Sequence, residues 1–141
     1  MSTILNPYLS FRDNARQAME FYQSVFGGEL RLSTFGDFQA SEDPAEKDKI
    51  MHGMLVTDGG LTLMGSDAPS QRPYTPGDNF SISVSGEDEA ELRRFWEGIS
   101  AGGTVLMPLE PSPWGDVFGM CTDKFGVSWL FNITSPSSQD S

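Results

Sequence analysis

The sequence predicts an α+β fold of two tandem βαβββ modules whose mixed sheets curl around a cleft, and an internal repeat carries the prediction. Phe21-Tyr22-Gln23-Ser24-Val25 and Phe95-Trp96-Glu97-Gly98-Ile99 are matching helical stripes, each followed after one or two residues by Gly-Gly. Farther along, His52-Gly53-Met54 matches Phe118-Gly119-Met120, Thr57-Asp58 matches Thr122-Asp123, and Gly60-Leu61-Thr62-Leu63 matches Gly126-Val127-Ser128-Trp129. A βαβββ unit covers one face of its sheet with its helix, and a second copy can partner the other face. A cleft made in this way suits a small ligand.

The elements follow in order. Residues 3–11 are apolar and β-prone, and predict a strand. Asp13 or Asn14 can cap the next helix, where Ala15, Ala18, Met19, Tyr22, Val25 and Phe26 recur at helical spacing until Gly27-Gly28. Leu30 to Phe35 predicts a second strand, and the charged, breaker-rich stretch 36–49 a mobile loop. Strands at 50–57 and 61–66 flank Asp58-Gly59-Gly60, a hairpin signal. Residues 67–79, with three prolines, predict a linker between module 1–66 and module 80–134. The second module reads as a strand at 80–85, a helix from Glu87 to Ala101, and strands at 104–109, 116–122 and 127–134. The polar tail 135–141 predicts disorder.

Composition narrows the partners. At 38% hydrophobic residues the 141-residue chain can fill one core. Twenty acidic against nine basic residues leave a formal charge of -11, which argues against nucleic acid and anionic membranes. No apolar run approaches the roughly 18 residues needed to span a bilayer. With Cys121 as the only cysteine and no basic, apolar leader at the N-terminus, the expected location is the cytoplasm.

Several segments resemble the vicinal-oxygen-chelate (glyoxalase/bleomycin-resistance/dioxygenase) superfamily, and within it the PhnB-like branch, also labelled 3-demethylubiquinone methyltransferase-like. They include Pro7-Tyr8-Leu9-Ser10-Phe11, Ala15 to Tyr22, Val25-Phe26-Gly27-Gly28, Phe35-Gly36-Asp37, Met51-His52 and Leu63 to Asp67. Gly102 to Val105, Trp114-Gly115, Gly119-Met120 and Asp123 to Trp129, with Asn132 beyond, complete the set. No glycine-rich loop follows the first strand, so a site for a nucleotide-like methyl donor is not expected.

The resemblance implies a place for a divalent ion, because metal-dependent members set one ligand on the first and one on the last strand of each module. Those positions fall near Tyr8, Met64, Ser81 and Leu130. Two apolar side chains there remove hard oxygen ligands, so no metal cofactor is expected, while a shifted site could use His52, Asp67 or Asn132. Strand alternation places Tyr8 and Ser10 on one face and Ser81 and Ser83 on the matching face of the second module, with Asn132 beside Leu130. Met54, Met64, Trp114, Phe118 and Trp129 offer apolar walls. His52, the only histidine, is the one side chain whose ordinary pKa suits a general base near neutrality. Cys121 reads as core, and Asp116 and Asp123 as turn residues.

The expected function is therefore binding of a small, partly apolar molecule without the usual catalytic metal. The alternative is a metal-dependent lyase/isomerase or dioxygenase-like enzyme acting on vicinal oxygens, with His52 as its catalytic residue. Exposed sheet edges lead to the expectation of a homodimer.

Overall fold

The computed structural model describes residues 3–39 and 43–135. Two compact units divide between Pro76 and Gly77, inside the stretch expected as a linker. The first contains β1 (Tyr8–Phe11), α1 (Ala15–Phe26), β2 (Glu29–Thr34), β3 (Ile50–Val56) and β4 (Thr62–Asp67). The second contains β5 (Ile82–Gly86), α2 (Glu89–Ser100), β6 (Thr104–Pro111), β7 (Val117–Thr122) and β8 (Ser128–Ile133). Each unit holds a four-stranded mixed sheet, ordered β1-β4-β3-β2 in the first and β5-β8-β7-β6 in the second. In each, the first strand lies parallel to the last and the other pairings are antiparallel. This is the duplicated βαβββ architecture that the repeat predicts.

One face of each sheet is closed by its helix. In the first unit Leu9, Phe11, Ile50, Leu55 and Leu63 are buried together with Ala15, Ala18, Met19 and Tyr22 of α1. In the second, Cys121, Trp129, Phe131 and Ile133 are buried with Leu92 and Ile99 of α2. Trp96 crosses Phe131 edge to face at 5.4 Å, and Gly119 has no side chain where the Trp96 ring passes. All three tryptophans (Trp96, Trp114 and Trp129) belong to the second unit, and all three tyrosines (Tyr8, Tyr22 and Tyr74) to the first.

Several expectations are corrected. The first strand covers Tyr8–Phe11 rather than 3–11, because Pro7 has no N–H to give a ladder; its carbonyl still accepts from Met64 N at 3.1 Å. Ile4 and Leu5 are exposed. Neither Asp13 nor Asn14 caps α1: the Asn14 side chain makes no capping hydrogen bond, and Ala15 N–H donates instead to Asp67 Oδ1 at 2.9 Å. The other oxygen, Asp67 Oδ2, accepts from Ile50 N–H at 2.9 Å. A buried carboxylate at the end of β4 thus serves as the helix cap from far along the chain.

The repeat pairing also shifts by one residue at its hairpins. Thr57 N and Asp123 N donate to Leu61 O and Val127 O, both at 2.8 Å, so Thr57 is the counterpart of Asp123 rather than of Thr122. The side chains agree: Thr57 Oγ1 accepts from Leu61 N, and Asp123 Oδ1 from Val127 N. Gly28 and Gly103 are counterparts too. A β-carbon at either would run into a backbone carbonyl, that of Val56 or of Thr122, and Gly28 also has a φ of 99°.

The charged stretch 36–49 is anchored at its C-terminal end. Glu46 is buried, its Oε1 accepting from Ser70 N at 3.3 Å, while Lys49 Nζ lies 2.7 Å from Asp13 Oδ1 and 3.3 Å from Glu46 Oε2. Residues 40–42 of that stretch, and 136–141 of the tail, lie outside the described residues. Among the described residues no helix is long and apolar enough to cross a membrane.

Candidate functional site

Strand alternation sends every second side chain to the face of each sheet that its own helix does not cover, and the candidate residues distribute over those two faces. In the first unit Tyr8 of β1 pairs with Met64 of β4, Met64 with Met54 of β3, and Met54 with Arg31 of β2. A second row holds Ser10 opposite Ser66, and His52 opposite Ser33. Tyr8 Oη and His52 Nδ1 lie 3.2 Å apart, with the rings tilted at 33° and their centroids separated by 5.8 Å. This contact passes over β4, which separates the two strands. Ser10 adds a backbone feature, because its carbonyl accepts from the Tyr74 hydroxyl at 3.2 Å.

The second unit repeats the rows with different chemistry. Ser83 pairs with Leu130, Leu130 with Met120, and Met120 with Met107. Ser85 pairs with Asn132, Asn132 with Phe118, and Phe118 with Glu110. Because Met64 and Leu130 are equivalent, the partner of Tyr8 in the repeat is Ser83. Ser81 precedes β5, exposed and outside the ladder. Ser85 is the counterpart of Ser10.

The β6–β7 connection presents Trp114. Ser112 N and Ser112 Oγ both donate to Asp116 O at 2.7 Å, which closes the loop. Asp116 then fastens it to the last strand: Asn132 Nδ2 donates to Asp116 Oδ2 at 3.0 Å, and Ser135 N to Asp116 Oδ1 at 3.0 Å. The Asn132 amide nitrogen is thus engaged within the protein. At the loop tip Trp114 is 55% exposed and meets Phe118 edge-on at 5.4 Å.

Other titratable groups have structural tasks. Asp123 Oδ1 accepts from Phe125 N and Val127 N, and Asp123 Oδ2 from the buried Trp129 indole at 2.9 Å. Burial pushes the Cys121 thiol up to about 11, with the Asp123 charge adding to the effect, so the thiol is protonated at neutral pH. The Ser70 hydrogen bonds hold the Glu46 carboxyl below its usual range, and the bond to Asp13 raises the Lys49 ammonium.

The positions for a divalent ion can now be compared with their side chains. They are Tyr8 and Met64 in one unit, Ser83 and Leu130 in the other. In each unit the last-strand position, Met64 or Leu130, carries a thioether or an alkyl group, neither of which is a hard oxygen donor. Asp67 faces the helix and spends both oxygens on backbone N–H groups, on the opposite side of the sheet from His52. Among the described residues no group of three or more His, Cys, Asp and Glu side chains could hold a metal.

The sequence pattern missed Arg31, Ser66, Ser85, Met107, Glu110 and Met120 as members of the open faces. Extending the rows from Met64 and Leu130 across the sheets would have found most of them.

The fold and the rows together define the glyoxalase/bleomycin-resistance class. A 15% identical fosfomycin resistance protein, FosX of Listeria monocytogenes, shares the fold, with a TM-score of 0.61 over 100% of this chain and 99% of its own. The chain belongs to the PhnB-like family described as 3-demethylubiquinone-9 3-methyltransferase, whose profile matches residues 3–132. Protein YjdN of Escherichia coli is 32% identical over 92% of this chain and 94% of its own. Protein PA1353 of Pseudomonas aeruginosa is 42% identical with a TM-score of 0.82, covering 94% of this chain and 98% of its own. A putative 3-demethylubiquinone-9 3-methyltransferase, the PhnB protein of Bacillus cereus, is 25% identical with a TM-score of 0.73, covering 94% and 100%.

Proposed function

We propose that the protein binds a small, partly apolar molecule on its open sheet faces without a divalent metal. The observation that supports this reading is the pairing of Tyr8 with Met64 and of Ser83 with Leu130 at the positions where metal chelation would be built. Methionines dominate the rows through Met54, Met64, Met107 and Met120, and flexible thioethers adapt to irregular apolar ligands. Tyr8, Ser10, His52 and Ser83 supply the few polar contacts that orient a ligand. A cytoplasmic homodimer belongs to the same reading, its pairing supported by the outer strands that end each sheet.

Two measurements test it. Elemental analysis of protein purified without added metal, followed by dialysis against manganese and zinc, is expected to give substoichiometric metal. Nile red, an apolar dye, is expected to bind saturably and equally with and without chelator. One retained equivalent of metal overturns the metal-free part, and absence of saturable dye binding overturns the binding part.

The Tyr8–His52 contact favours a second reading, catalysis on vicinal oxygens. As a base His52 would present Nε2 while its Nδ1–H donates to the Tyr8 oxygen. Turnover of a 1,2-dicarbonyl or 1,2-diol compound that vanishes in His52→Ala supports this role, and an unchanged rate removes it.

A further inference from the structure

Beside the β6–β7 loop lies a hollow of about 190 Å³. Met107, Pro108, Pro111, Trp114 and Phe118 contribute to its wall, and Glu110 is the only charged residue among the described residues lining it. The aromatic pair stands edge to face, and the loop carrying Trp114 is pinned through Asp116 to Asn132 and Ser135. Prolines fix φ along the rim, so the hollow is largely preformed and little ordering cost falls on a ligand. Among the described residues neither the Glu110 carboxylate nor the Trp114 indole N–H has a hydrogen-bond partner.

A carboxylate at the edge of an apolar hollow rejects anions and favours a ligand that carries its counter-charge. Aromatic faces add attraction for a cation within about 6 Å of a ring centroid. The formal charge of -11 draws cations toward the chain and repels anions.

We propose that this hollow is a subsite for an organic cation, with a quaternary or protonated nitrogen against the Trp114 and Phe118 rings, Glu110 as counter-charge, and an apolar remainder spread over Met107. This names the ligand class for the second unit's open face and rests on the reading that the open faces bind a small molecule. Among the described residues lining the hollow there is no cationic side chain to offset Glu110 for an anionic ligand.

The experiment is calorimetric titration of the full chain with benzyltrimethylammonium, neutral benzyl alcohol and benzenesulfonate. The cation is expected to bind saturably and roughly tenfold or more tighter than the alcohol, the scale of one desolvated cation–ring and charge contact. Glu110→Gln and Trp114→Leu should each weaken the cation about tenfold and leave the alcohol nearly unchanged. Glu20→Gln, which removes one charge from the first unit, should leave the cation's affinity unaltered. Near-ultraviolet circular dichroism verifies that each variant is folded. Equal affinity for cation and alcohol overturns the subsite but leaves small-molecule binding standing. A cation affinity that falls equally in Glu20→Gln and Glu110→Gln also overturns it, as a mere effect of net charge. Failure of all three probes, together with failure of Nile red, overturns both.

Discussion

The Tyr8 hydroxyl stands 3.2 Å from His52 Nδ1, linking the first and third strands of the first unit across the strand between them. Either group can supply the proton, and the choice decides what His52 offers a ligand. A phenol is the better donor and an imidazole nitrogen the better acceptor, so the binding reading expects Tyr8 to donate and His52 to keep its own proton on Nε2, whereas the catalytic reading needs the reverse. Nitrogen-15 spectra of the neutral imidazole should show the Nε2–H tautomer in the parent protein and a mixture in Tyr8→Phe. A dominant Nδ1–H form in the parent would instead favour His52 as a base. The contact is exposed, so Tyr8→Phe should cost less than about 1 kcal/mol.

Asp67 is predicted to be the most sensitive polar position of the first unit. Both oxygens accept buried backbone N–H groups, one opening α1 and one opening β3. In Asp67→Asn an amide N–H would face one of those donors, leaving it unpaired. The expected loss is about 1–3 kcal/mol in urea unfolding. A loss within error would show that solvent reaches the freed N–H.

Trp129→Phe tests the matching device in the second unit. It keeps most of the buried ring but removes the N–H that satisfies Asp123 Oδ2. Destabilisation of about 1–3 kcal/mol is expected, more than a change of ring size alone would cause. Asp123→Asn in the Trp129→Phe background should then cost less than it does alone, because the two groups share one interaction.

The Cys121 thiol gives a pH dependence with a definite sign. Its folded value of about 11 lies above the ordinary thiol value of 9.0, so the folded state holds the proton more tightly than the unfolded one. The resulting stability is fully present below pH 9.0 and lost as pH rises toward about 11. A decline on the order of 2 kcal/mol across that window is expected. Cys121→Ala should flatten it, and native protein at pH 8 should resist alkylation by iodoacetamide. Fast modification of the folded chain would contradict this.

Much of the architecture was legible because glycines and hairpins fix register. Gly60 and Gly126 place Met64 and Leu130 at equivalent points, and the structure pairs each with the first strand of its unit. Ser81 and Ser83 were not separable, since FSISVS alternates with period two and a slip of two residues leaves every side chain on the same face. Asp67 as a cap was illegible for another reason. Local rules look for the cap beside the helix, and here the acceptor comes from a strand far along the chain. Tyr8 and His52 were each identifiable, but their contact depends on β4 lying between them, a matter of strand order that no local pattern encodes. Glu46 was concealed by its charged neighbours.

The division of aromatic residues gives the two halves of this chain separate optical signatures. Light absorbed at the red edge, where tyrosine is transparent, excites only Trp96, Trp114 and Trp129, and so reports on the second unit alone. Far-ultraviolet dichroism reads both units at once. If melts followed by the two methods coincide, the halves unfold as one cooperative body; if they separate, each half has its own transition, and no added label is needed to tell them apart.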